Sequence, residues 1–265
     1  MRTIGFVGGG KMAEALISGL LSGPPGPEQV IVCEPLVDRV EYLVGKYPIA
    51  AVELGELAAQ ADVVVLAVKP QVVNEVLSAL AGALGPDQVV VSIAAGVPTS
   101  RIERALPGVP VVRVMPNTPA LVGQGAAAIA PGTHATDAHL QLAQEILQST
   151  GIVVRVPEDR LDAVTAVSGS GPAYFFLLAQ LLQEAAVLVG LSVEQARELV
   201  VQTAFGAAAM LRDSGDDAAT LRSAVTSPGG TTAAALEVFD DAGLAQIVQQ
   251  AVLAARDRST VLGSD

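Results

Sequence analysis

The sequence predicts an α/β region built on a doubly wound, mostly parallel sheet, followed by an all-α region. Three observations predict it. Short apolar runs alternate with helical stretches as far as Pro157, the strand signal stops there, and a glycine-rich turn joins the first apolar run to the first helix. Strands separated by helices imply parallel neighbours joined by crossovers. The change of texture sets the expected domains at 1–157 and 158–265.

The first run, "TIGFV" at 3–7, precedes a helical stretch at 11–21. "QVIVC" at 29–33 precedes a helix-like 36–45. "ADVVVLAV" at 61–68 reads as a buried strand and is followed by a helix over 71–83. "QVVVSIA" at 88–94 leads to a helix-like 100–105, and "VPVVRVM" at 109–115 is the next strand. "GAAAIA" at 125–130, a helix over 137–149 and "GIVVRV" at 151–156 complete the alternation. Helices are then expected at 158–167, 172–190, 193–213, 216–224, 230–240 and 242–262, with Ser192 and Gln195 forming a capping box before the third.

A chain of 265 residues can bury a large core. Its net charge of -12 argues against a nucleic-acid partner. Cys33 is the single cysteine, so no internal disulfide is expected, and no ligand spacing reads as a metal site. "RTIGFVGGG" is apolar too briefly for a signal peptide. A reduced, cytoplasmic compartment is expected. The stretch "PAYFFLLAQLLQEAAVLVGL" at 172–191 approaches bilayer-spanning length. Gln180, Gln183 and Glu184 interrupt it and it stands alone, so a core or subunit-interface helix is expected rather than a membrane span. Burying so apolar a helix against an identical copy is the simplest arrangement.

"FVGGGKMAEALISGL" places Gly8, Gly10 and Ala13 in a GxGxxA pattern after a strand and at the head of a helix. The first glycine allows a tight turn, the second lets a pyrophosphate approach the backbone, and Ala13 lets helix and strand pack closely. The helix start, with Lys11 and Met12, supplies free N–H groups and partial positive charge. This makes the α/β region Rossmann-like and implies NADPH or NADH. Glu34 ends the second strand, about two dozen residues past Gly10, where a carboxylate can bond a ribose hydroxyl. It can equally be a solvated residue before Pro35, and Arg39 nearby could instead reach a phosphate. Ala67, Val68, Lys69 and Pro70 end the third run. Ser92 to Gly96, with Ala94, and Met115 to Thr118, with Asn117, end the next two. All lie at the carboxyl edge of the sheet, where ligands bind or where the strands simply turn.

Alcohol oxidation needs a base for the hydroxyl proton, usually His or Lys. The histidines, His134 and His139, lie in "PGTHATDAHLQ", and the lysines are Lys11, Lys46 and Lys69, so the all-α region has neither type. Reducing a C=N bond asks less. The imine nitrogen takes a proton from water before hydride arrives, and the protein has only to hold the substrate, exclude water and set the geometry.

A second glycine corner, "AVTSPGGTTAAAL" at 224–236, interrupts the helices. Gly229 and Gly230 open a helix start with no side chain in the way, and Ser227, Thr231 and Thr232 add hydroxyls. Such a corner suits an anion, here a substrate carboxylate, or serves as an ordinary capped helix–helix turn. Ser168, Gly169, Ser170 and Gly171 precede Pro172, either as a helix cap or as a pocket wall.

With these residues in place the chain resembles pyrroline-5-carboxylate reductases essentially end to end. "IGFVGGGKMAEALISGL", "AVKPQ", "VSIAAGV", "RVMPNTPALVGQG", "AVSGSGPAYFF" and "SPGGTTAAALEVF" appear in that family's order and spacing. The resemblance implies NAD(P)H-dependent reduction of 1-pyrroline-5-carboxylate to L-proline, the last step of proline synthesis. It implies that Ser227, Gly229, Gly230 and Thr231 hold the substrate carboxylate, with Thr232 near the ring nitrogen as the catalytic hydroxyl. It also implies that Ala67–Pro70, Ala94 and Asn117 line the nicotinamide and its ribose. Relatives form interlocked dimers, often gathered into a decamer, in which the SPGGTT loop completes the other subunit's pocket. Many relatives have Asn where this chain has Lys11, and some have Glu at Gly215, so that substrate contact is not carried over. Reduction of a related cyclic imino acid and non-catalytic dinucleotide sensing are the other readings.

Overall fold

The computed structural model describes residues 2–23, 26–27 and 29–264. The strands are β1 (Thr3–Val7), β2 (Gln29–Cys33), β3 (Ala50–Ala51), β4 (Val63–Leu66), β5 (Val89–Ser92), β6 (Val111–Met115), β7 (Gly125–Pro131) and β8 (Gly151–Arg155). They form one sheet in the order β3-β2-β1-β4-β5-β6-β7-β8. The pairs from β3 to β6 are parallel, β7 runs antiparallel to β6, and β8 is parallel to β7. The chain moves outward from β1 in one direction and from β4 in the other, which makes a switch point between them.

The central strands are apolar throughout because both faces are covered. Successive side chains point to opposite faces. Ile4 and Phe6 of β1, with Val63 and Val65 of β4, join one buried cluster; Val7, Val64 and Leu66 join the other. The first cluster takes in Leu16, Ile17 and Leu20 of α1 (Lys11–Ser22), Leu43 of α2 (Val37–Lys46), and Ile146 and Leu147 of α6 (Asp137–Gln148). The second takes in Leu57 of α3 (Leu54–Gln60), Val73, Leu77 and Leu80 of α4 (Val73–Leu80), and Ile102 of α5 (Thr99–Ala105).

The remaining elements differ from expectation in three places. β3 and α3 have no counterpart in the sequence reading, because two exposed alanines and a seven-residue helix leave no periodic signal. The stretch 158–167 is not one helix. It runs as a 3-10 turn (Glu158–Arg160), α7 (Leu161–Val164) and a π-turn (Thr165–Gly169). The strand signal ends at 157, but a compact unit continues through Ser170 and includes the residues from Ala255 onward. Residues 158–170 stay with the sheet because Leu161 packs on Ala128 and Ala130, and Glu158 accepts from Thr99 and Arg113.

The second unit, Gly171–Ala254, is helical: α8 (Gly171–Leu188), α9 (Val193–Asp213), α10 (Ala218–Ala224), α11 (Thr231–Asp241) and most of α12 (Leu244–Ser264). The capping box forms as expected, with Ser192 Oγ accepting the Gln195 N–H at 3.2 Å. In α8 and α9 only Gly171 and Ala196 are buried, while Phe175, Phe176, Leu188 and Phe205 are largely exposed. By length and composition the helical run 158–188 could cross a membrane, and only 6% of its apolar window is buried.

Candidate active site

The corner between β1 and α1 is built by close approach. Gly8 has φ +97°, and a Cβ there would lie 2.7 Å from the Ala67 carbonyl oxygen. Its N–H bonds the Cys33 carbonyl at 2.8 Å, which ties the corner to β2. Gly10 is the N-cap of α1, with no side-chain cap, and a Cβ on it would meet nothing within 4 Å. The first N–H groups of a helix have no partners inside it. Here they open beside an empty approach, so the corner fits the pyrophosphate of a nicotinamide dinucleotide. Lys11 is exposed at the first position of α1 and forms no ion pair among the described residues.

Glu34 does reach this corner. One carboxylate oxygen accepts the Gly9 N–H at 2.7 Å and the other accepts the Leu36 N–H at 3.0 Å. Arg39 also turns back onto it, with Nε 2.5 Å from the Gly9 carbonyl oxygen and Nη2 3.3 Å from that of Gly10. Nη2 also donates to Glu14 at 2.6 Å. Nothing in the local pattern around Glu14 marked this arrangement, which joins residues far apart in the chain. Partial burial opposes ionisation of Glu14, but hydrogen bonds from Lys46, Arg39 and Tyr42 outweigh it and hold its carboxyl at about 2. The Cys33 thiol is pushed up by burial and by the nearby carboxylates of Glu53 and Glu34.

The carboxyl ends of β4, β5 and β6 bring the other expected residues to one edge. Ala67 and Val68 are half-buried after β4, and Lys69 and Pro70 are exposed where a 3-10 turn begins. Ala94 is buried after β5. Asn117 follows β6, and its amide is engaged at both ends: Nδ2 donates to the Ser168 carbonyl at 3.1 Å and Oδ1 accepts the Ala126 N–H at 2.9 Å. Asn117 therefore carries the π-turn with Ser168 to the same edge. Ser168 Oγ donates back to the Val164 carbonyl at 3.1 Å.

The SPGGTT corner lies in the second unit. Gly230 is the N-cap of α11 and donates its N–H to the Ser227 carbonyl at 3.0 Å, closing a tight turn. Gly229 takes φ +69°, the left-handed conformation that glycine enters without a Cβ penalty. Ser227, Gly229 and Thr231 are exposed and Thr232 is half-buried. No side chain caps α11, so its first N–H groups face outward. Among the described residues no group of three or more His, Cys, Asp or Glu side chains could hold a metal ion.

A mostly parallel sheet with an open glycine corner at its switch point defines a dinucleotide-binding protein of the Rossmann type. Comparison with known proteins narrows this. The family model described as pyrroline-5-carboxylate reductase dimerisation matches residues 158–262, and one described as NADP oxidoreductase, coenzyme F420-dependent, matches 3–96. The chain is 45% identical over 262 residues to the pyrroline-5-carboxylate reductase of Pseudomonas aeruginosa, covering 98% of this chain and 96% of that one. Among solved structures, a pyrroline-5-carboxylate reductase from Coxiella burnetii superposes with a TM-score of 0.94 at 37% identity, over 98% of each chain. That of Plasmodium falciparum pyrroline carboxylate reductase with NADP bound gives 0.86 at 30% identity, over 99% of this chain and 98% of that one. The chain belongs to the pyrroline-5-carboxylate reductase family.

Proposed function

We propose that the chain reduces 1-pyrroline-5-carboxylate to L-proline, with NADPH or NADH as the hydride donor. The observation that carries this is the uncapped start of α11 at Gly229–Gly230, a second anion corner besides the one at Gly10. A bound nicotinamide dinucleotide would supply hydride from C4 of its ring to C5 of the substrate ring. Gly8, Gly10, Lys11, Met12 and Ala13 hold the pyrophosphate, and Glu34 faces the adenosine ribose. Ala67, Val68, Lys69, Pro70, Ala94 and Asn117 form the nicotinamide edge.

Ser227, Gly229 and Thr231 hold the substrate carboxylate through N–H and hydroxyl donors, beside Gly230, whose own N–H closes the turn and which adds no side chain. Thr232 places its hydroxyl at the ring nitrogen, and Ser168 walls the pocket. No lysine or histidine follows residue 139, so no strong base is brought by the helices. None is needed if the imine nitrogen takes its proton from water and the residues only orient it.

The functional division at 157 gives a cofactor domain and a substrate and dimerisation domain. The exposed apolar faces of α8 and α9 support burial against a second copy, and dimers gathered into a decamer are the assembly this reading implies. In such a dimer each SPGGTT loop serves the partner's cofactor. The single cysteine supports a reduced, cytoplasmic setting. Steady-state turnover with NADH and NADPH, on five- and six-membered cyclic imino acids, tests the proposal. Turnover of the five-membered ring alone or by preference is expected. Preference for the six-membered ring would make the chain a reductase of the homologue, and absence of turnover a sensor.

A further inference from the structure

Three glycines in a row leave the peptides of the β1–α1 corner free to rotate, since no Cβ restricts them. In a planar trans peptide the C=O and the N–H point in opposite directions, so fixing one aims the other. The corner is fixed peptide by peptide. The Gly8 and Gly9 N–H groups are turned inward, onto the Cys33 carbonyl at 2.8 Å and the Glu34 carboxylate at 2.7 Å. From the next peptide the sense reverses. The Gly9 carbonyl is turned inward onto Arg39 Nε at 2.5 Å, and the Gly10 carbonyl accepts from Arg39 Nη2 at 3.3 Å and from the Glu14 N–H at 2.9 Å. The Gly10 and Lys11 N–H groups are thereby turned outward.

Arg39 is itself held. Its Nη2 bonds Glu14, its guanidinium carbon lies 5.0 Å from the centre of the Tyr42 ring, and its side chain is only 23% exposed. Glu14 in turn accepts from Lys46 at 2.9 Å, Tyr42 at 2.9 Å and Tyr47 at 3.2 Å. A charge-assisted bond to a backbone carbonyl, made by an arginine that is itself tied to a carboxylate, is a strong constraint on the peptide it grips.

We propose that Arg39, held by Glu14, is a positioning residue for the cofactor, turning the Gly9–Gly10 peptide so that the Gly10 N–H faces the pyrophosphate. This rests on the dinucleotide site at the corner and not on the identity of the imine substrate. It differs from a role for Arg39 as reader of a ribose phosphate, because the pyrophosphate is common to both cofactors. The test measures dissociation constants of NADH and NADPH by the fluorescence of the bound reduced nicotinamide, with no substrate present. R39A should weaken both cofactors to a similar degree, roughly tenfold for one lost charge-assisted hydrogen bond. In turnover the loss should fall on the cofactor KM and not on kcat. E14Q keeps an acceptor without its charge and should give a smaller loss of the same kind. Lys46→Met removes another partner of Glu14 while leaving Arg39 on the glycine carbonyls, and is the control for a merely structural role. It should lower Tm and leave both dissociation constants within about twofold, the scatter of a surface ion pair's effect. Loss of NADPH affinity alone in R39A, no loss at all, or an equal loss in Lys46→Met would each overturn the proposal. Binding is read without substrate, so a failed imine assay leaves this result standing.

Discussion

At Gly10 and again at Gly230 the chain makes the same kind of corner: glycines, an uncapped helix start, and outward N–H groups. What surrounds the two corners differs. The first is gripped from three sides, by Cys33 and Glu34 of the β2 end and by Arg39 of α2, and a Cβ at Gly8 would strike the Ala67 carbonyl. The second is closed by its own turn, the Gly230 N–H on the Ser227 carbonyl, and a Cβ on Gly229 would meet nothing within 4 Å. The first corner is finished by its own unit. The second offers its donors with nothing of its own unit packed over Gly229. That difference is the one the proposed roles require, a rigid site for a cofactor and an open loop for a substrate.

The largest effect expected from this contrast concerns the two corners together. Gly10→Glu should fill the open approach at α1, and Gly230→Glu should place a carboxylate on the corner proposed for the substrate's own. Each variant alone should be nearly inactive. If the loop of one subunit serves the cofactor of the other, unfolding and refolding the two together should restore about a quarter of wild-type activity, from random pairing in a twofold dimer. Mixed dimers that form and stay inactive would put both corners of a pocket in one chain.

Thr232→Ala comes next. If its hydroxyl meets the ring nitrogen as proposed, losing it should lower kcat/KM by roughly one to two decades while cofactor binding holds. Wild-type kinetics in this variant would remove Thr232 from the mechanism.

Stability should separate the corners in the same sense. Gly8→Ala combines φ +97° with a 2.7 Å clash against backbone, and should cost more than about 2 kcal/mol. Gly229→Ala meets φ +69° but open space, and should cost about 1 kcal/mol. Urea titrations of the two variants measure the gap, and equal losses would mean that the first corner is no more tightly built than the second.

The smallest effect lies at Glu34. Its carboxylate still has lone pairs beyond the two backbone N–H groups it accepts, and these would favour the ribose diol over a 2′-phosphate. Glu34→Ser should shift the kcat/KM ratio toward NADPH by several-fold, about 1 kcal/mol. A wild-type preference for NADPH of tenfold or more would show that Glu34 serves the corner alone.

The sheet was legible where burial imposes a pattern. Runs such as "VVVL" and "VVVS" are apolar on both faces because helices cover both, and they declare β4 and β5 directly. Glycine patterns announced both corners, because φ +97° at Gly8 and φ +69° at Gly229 lie where glycine alone pays no Cβ penalty. The reversal of β7 was not legible: its apolar run looks the same whether it lies parallel or antiparallel to β6. The π-turn at 165–169 was not legible: its first three residues look like ordinary helix and its last two like a cap, since backbone hydrogen-bond register leaves little trace in composition.

By itself, then, the sequence determined the alternation of strands and helices, the two glycine corners and the absence of lysine and histidine from the helical region. Each is a local property, set by the period of burial or by the shape of one residue. The tertiary structure decided which distant polar groups meet. Glu14 and Arg39 meet although 25 residues apart in the chain, Asn117 finds the Ser168 carbonyl across 51, and Asp162 accepts the Ser259 hydroxyl across 97. Partners at such separations are chosen by how the sheet and its helices pack. A polar side chain in the sequence shows what it can donate or accept, but only the packed fold puts a partner within its reach.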